Sequence, residues 1–73
     1  MKENLFVGTV IKEQNDRLMS CNEFANFLGI SAPTLYSIKK NKAIFSKTAR
    51  KICDKLNITD KKVIASINIK YYS

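Results

Sequence analysis

Apolar residues in this chain recur three and four positions apart over most of its length, and turn-forming residues cut that pattern into short segments. The spacing predicts a first helix over about Asn4 to Asp16 with Leu5, Val7 and Ile11 on one face, although Phe6 to Ile11 is also rich in strand-favouring residues. A second helix is expected after Ser20, an N-cap whose capping box is completed by Glu23. Phe24, Phe27 and Leu28 then lie inward, and Gly29 suits a left-handed stop. Ser31 caps a third helix, with Pro33 in the first turn, where a missing N–H does no harm, and Leu35 and Ile38 buried. Past a polar stretch, Ser46 is expected to cap a fourth helix. Its Ala49, Ile52, Cys53 and Leu56 fall at i, i+3, i+4 and i+7, and Asn57 ends it. Thr59 can cap a short fifth helix with Val63, Ile64 and Ile67 inward. The alternative there is a strand, since Ile67, Ile69 and Tyr71 alternate with Asn68, Lys70 and Tyr72. The fold class that follows is all-α, four to five helices in one domain over residues 1–73, with a short strand admitted at either end.

Composition adds charge to this picture. The chain has 73 residues, 45% hydrophobic and 26% charged, which suits a small globular domain with a thin core. Its net charge of +7 suits a polyanionic partner. That charge is uneven: up to Ile38 the acids outnumber the bases by one, whereas after it ten basic groups face only Asp54 and Asp60. There is no histidine, and Cys21 and Cys53 have no CxxC spacing, so neither a zinc site nor the usual general base can be assembled. The acids stand singly, and no catalytic pair is expected. Leu5 to Ile11 is interrupted by Gly8 and Thr9, too short to cross a bilayer and without a signal-peptide cleavage pattern. A cytoplasmic chain with reduced thiols is expected. Cys21 then reads as a cap-region side chain and Cys53 as a small core residue; a redox role at Cys21 would need its thiol exposed by the helix start.

The informative stretch is SCNEFANFLGISAPTLYSIKK, Ser20 to Lys40. Two helices of about eight residues meet at Gly29-Ile30-Ser31. Ala25 allows a close crossing, and Phe24, Leu28, Ile30, Leu35 and Ile38 supply the seam. This is the pattern of a helix-turn-helix over residues 20–39, whose second helix offers its N-terminus to a DNA major groove. Ala25, Gly29, Ile30, Leu35 and Ile38 resemble the corresponding positions of the Cro and phage-repressor (XRE-type) helix-turn-helix family. The likeness extends through KNKAIFSKTARKICDKLNI, Lys40 to Ile58, and back to Val10-Ile11-Lys12-Glu13, covering about residues 5 to 67.

The resemblance implies a lambda-repressor-like fold and double-stranded DNA as partner. It implies base contacts from Asn22, beside Cys21 at the start of the second helix, and from Ala32, Pro33, Thr34 and Ser37 on the recognition helix. The departures are Cys21, where the family often has Gln, and Ala32 and Pro33, which replace long polar side chains. Neither can make the paired hydrogen bonds that read a base edge, which leaves thymine-methyl packing and single bonds from Thr34, Ser37 and Asn22. Phosphate contacts are expected from Lys39, Lys40 and Lys42 after the recognition helix and from Ser46, Lys47 and Arg50 at the next helix start. Tyr36 either reaches a phosphate or packs beside the first helix. The apolar Val63, Ile64, Ile67, Ile69 and Tyr71, within residues 59–73, either form a homodimer contact or close the monomer core.

The functional expectation is a sequence-preferring DNA-binding protein, a small transcriptional regulator of a bacterium, phage or mobile element, controlled through its own concentration. The alternatives are an accessory or architectural DNA-binding protein of excision, partition or conjugation, and a protein-interaction module such as an antirepressor. No enzyme activity, cofactor, metal, membrane or small-molecule ligand is expected.

Overall fold

A computed structural model describes residues 4–70; Tyr71 and Tyr72 lie outside the described residues. The elements run α1 (Leu5–Asp16), α2 (Cys21–Leu28), α3 (Ala32–Lys39), β1 (Ile44–Phe45), α4 (Ser46–Leu56), α5 (Lys61–Ala65) and β2 (Ile69–Lys70). The chain is thus the expected helical domain, with a single two-residue strand pair. Of the two ends, α1 is helical where a strand was the alternative. At the other end helix and strand both occur in turn, and β2 lies parallel to β1, with Ile44 opposite Ile69 and Phe45 opposite Lys70.

Local chemistry explains the middle helices. The Glu23 N–H donates to Ser20 Oγ (3.2 Å) while the Ser20 N–H donates to Glu23 Oε1 (2.9 Å), a complete capping box. The Ser20 backbone N–H, helped by its hydroxyl, holds the Glu23 carboxyl below its ordinary value. Gly29 sits at φ 75° with open space around it, so the backbone angle, rather than crowding, selects glycine there. The Ile30 N–H closes the turn on Ala25 O at 3.0 Å. Ser31 caps α3, and Asn57 ends α4 in the left-handed region at φ 58°.

Two helix caps and the inward face of α1 differ from what the sequence predicts. Ser46 is the first residue of α4 and not its cap; Phe45 holds the cap position with extended backbone and no side-chain bond, because β1 pairing fixes it there. Asp60, one residue after Thr59, caps α5 by accepting from the Lys62 N–H at 2.9 Å. On α1 the buried face is Phe6, Val10 and Gln14, whereas Leu5 and Ile11 are exposed and Val7 is half-buried. The helix is rotated by its anchorage. Asn4 caps it and also donates from Nδ2 to Ser66 O, while the Phe6 N–H donates to Ser66 Oγ at 2.9 Å. That setting turns the larger Phe6 inward.

The core comprises Phe6, Val10, Phe24, Ala25, Leu28, Leu35, Ile38, Ile44, Ala49, Ile52 and Leu56, with Cys53 half-buried beside it. Phe27 is also half-buried. Its ring stacks near Phe24 at 6.2 Å and is flanked by the Arg17 guanidinium at 5.1 Å and the Lys55 ammonium at 5.4 Å. Phe45 is half-buried too, with Lys70 Nζ 4.6 Å from its ring centroid.

Candidate nucleic-acid interface

The α2–Gly29–Ile30–Ser31–α3 unit is a helix-turn-helix in outline: two eight-residue helices joined by a three-residue turn and packed on each other through Phe24, Ala25, Leu28, Leu35 and Ile38. Leu35 and Ile38 fix which face of α3 is inward. Pro33 and Tyr36 stay exposed, and Thr34 and Ser37 are half-buried. Asn22, at the start of α2, is exposed. Ala32 is partly buried and packs against the core, which reduces what it offers to a partner. Thr34 spends hydrogen-bonding capacity locally, its hydroxyl 2.8 Å from that of Ser31 and its N–H bonded to Ser31 Oγ at 3.3 Å. Ser37 makes no side-chain hydrogen bond among the described residues.

The basic residues divide by location. Lys39, expected at a phosphate, instead turns its ammonium back to Cys21 Sγ, 3.2 Å away at the start of α2. Lys40 caps α3, and Lys42 is tied by its backbone N–H to Ser37 O at 2.9 Å; both side chains are exposed. Ser46 and Lys47 are exposed in the first turn of α4, whose leading N–H groups lack a side-chain cap. Arg50 is exposed and, with Ser46, borders an open groove of about 690 Å³ between α4 and the α5–β2 return. Among the described residues the ion pairs are Lys12 with Asp16 and Arg17 with Glu13, both within α1 or just past its end. The basic groups beyond α3 form no ion pair among the described residues.

Two features escaped the sequence reading. One is a polar cluster where α1, α2 and α3 meet. Gln14 Nε2 lies 3.6 Å from Cys21 Sγ and 3.2 Å from Met19 O, and Gln14 Oε1 is buried without a partner among the described residues. The Lys39 ammonium, with lesser help from Gln14 and Tyr36, holds the Cys21 thiol below its ordinary value. The same thiol pushes the Tyr36 hydroxyl up. Tyr36 is 51% exposed, so its ring is not packed away beside α1. The spacing of Cys21, Tyr36 and Lys39 carries no sequence signal, because the turn alone brings them together.

The other is Lys70, which β2 delivers to a cleft of about 160 Å³ shared with Thr34, Ser37, Phe45 and Thr48. Its only sequence signal was membership of an alternating segment.

Of the residues expected at a dimer contact, Val63, Ile67 and Ile69 pack partly buried against the core of their own chain, whereas Ile64 is 44% exposed. Tyr71 lies outside the described residues. Among the described residues no three Cys, Asp or Glu side chains gather into a metal-binding group, and no helix is long and apolar enough to cross a membrane. No known family, curated protein or solved structure matches this chain.

Proposed function

We propose that the protein binds double-stranded DNA through α2 and α3 and acts as a small autoregulating transcriptional regulator of a bacterium, phage or mobile element, of the Cro and phage-repressor type. The observation that carries this reading is the outward face of α3, held in a helix-turn-helix and followed by basic groups that form no ion pair among the described residues. α3 enters the major groove, where Asn22 and Thr34 make single hydrogen bonds and Pro33 packs on a thymine methyl. Lys40, Lys42, Ser46 and Lys47 meet phosphates on either side, the last two assisted by uncapped helix N–H groups. A second copy, joined through the α5 surface around Ile64, would place two recognition helices about one DNA turn, roughly 34 Å, apart.

A second reading, an accessory or architectural DNA-binding protein, is favoured by one specific observation. Ala32 packs on the core and Thr34 is engaged by Ser31, which leaves little capacity for base reading.

Fluorescence anisotropy separates the two, using duplex DNA from upstream of the protein's own gene and a scrambled duplex, each titrated from about 50 to 200 mM salt. Binding to the upstream DNA should be tighter by about a hundredfold or more if the regulator reading holds. Equal, steeply salt-dependent binding identifies the architectural one, and no binding to either overturns both. Lys47→Ala should weaken both duplexes alike and reduce the slope of log affinity against log salt by about one.

A further inference from the structure

The cleft between α3, the β1–α4 corner and β2 gathers groups from parts of the chain far apart in sequence. Thr34 and Ser37 come from the recognition helix, Thr48 from the first turn of α4, and Lys70 from the C-terminal strand. Lys70 arrives there because β2 pairs in parallel with β1 and puts it opposite Phe45. Its ammonium stands over the Phe45 ring at 4.6 Å, a contact that steadies the long side chain without neutralising it. No carboxylate pairs with it among the described residues. Neither Ser37 nor Thr48 makes a side-chain hydrogen bond within the described residues, so two hydroxyl donors and one cation line the same space. Its volume of about 160 Å³ is open to solvent and admits a tetrahedral oxyanion.

We propose that this cleft seats one phosphodiester of the duplex that α3 reads, with Lys70 supplying the charge and Ser37 and Thr48 the hydrogen bonds. The C-terminal strand then belongs to the DNA-binding surface, and Ser37 positions the helix on the backbone instead of reading a base. A phosphate held at the flank of α3 sets how deeply and in what register the helix enters the groove, which is the task of backbone contacts generally. The inference rests on the DNA-binding reading above.

The test is the salt dependence of duplex binding by the full chain. Lys70→Met keeps the aliphatic stem over Phe45 and removes the charge. It should lower the salt slope by about one and weaken binding roughly tenfold near 0.1 M salt, equally on upstream and scrambled DNA. Lys70→Arg should restore the slope. Thr48→Val, which keeps the shape of the side chain, should cost up to about tenfold in affinity on both duplexes with the slope unchanged. Far-UV circular dichroism of each variant should match the parent. An unchanged slope in Lys70→Met, with parent binding intact and Lys47→Ala lowering the slope, overturns the cleft assignment alone. A parent protein that binds neither duplex overturns the DNA-binding reading and the cleft with it.

Discussion

The helix-turn-helix from Cys21 to Lys39 and the longer return from Lys42 to Lys70 are unlike in nearly every respect. The first carries Glu23 and Lys39 as its only charged groups, and Lys39 is folded back on Cys21. The second carries eight basic groups against Asp54 and Asp60. The first is bounded by side-chain caps and a left-handed glycine, so its shape is written locally. The second opens with β1, runs into a helix without a side-chain cap and ends in a strand that finds its partner about 25 residues back, so its shape depends on assembly. Locally specified shape and most of the positive charge therefore lie in different parts of the molecule. A change in one should leave the other largely in place.

That contrast can be tested most forcefully in the core. Leu35 is fully buried under the motif, and Leu35→Ala should lower unfolding free energy by about 2–5 kcal/mol in urea titrations. For a chain this short that is a large share of a total near roughly 4–11 kcal/mol. Ile64→Asp, at a 44% exposed position, should change stability by about 1 kcal/mol or less while turning a dimer into a monomer in sedimentation. If Ile64→Asp destabilises as strongly as Leu35→Ala, that position belongs to the monomer core and the division of labour fails there. The smallest effect concerns the two thiols. Lys39 lowers the pKa of Cys21, whereas burial, with the nearby Asp54 carboxylate, pushes Cys53 up. Thiolate therefore forms at lower pH on Cys21, and iodoacetamide should label Cys21 several-fold faster than Cys53 at neutral pH. Lys39→Met should move the pH profile of Cys21 labelling upward. Equal rates in the parent would show that the Lys39 contact does not persist in solution.

The same contrast explains what could be read from the sequence. Ser20, Glu23, Gly29, Ser31 and Asn57 act on backbone groups a few residues away, and each sits where its local chemistry requires. The inward face of α1 was not legible, because Leu5, Val7 and Ile11 offer a helical stripe just as Phe6 and Val10 do. The choice is made by Ser66, some 60 residues distant. Ser46 failed as a cap for a related reason, since pairing with β2 puts Phe45 at the cap position. At the candidate interface, the exposure of Asn22, Pro33 and Lys47 agrees with the surface the resemblance implies, while the sequence leaves Tyr36 open and gives no sign of the fates of Lys39 and Lys70. Each is set by where another element comes to lie.

The clasp at Ser66 has a consequence for how the chain becomes a domain. Its hydroxyl and carbonyl accept bonds from Phe6 and Asn4 and, together with those joining Asn41 to Asn4 and Asn68, link the start of α1 to residues some 60 positions later. α2 and α3 need only near neighbours and can meet while synthesis continues. The docking of α1 must wait for residue 66 and for the loop closure that brings it back. α1 is therefore anchored after the two helices that follow it in sequence, and a nascent chain should carry a formed α2–α3 motif beside an α1 that is capped by Asn4 but not yet docked.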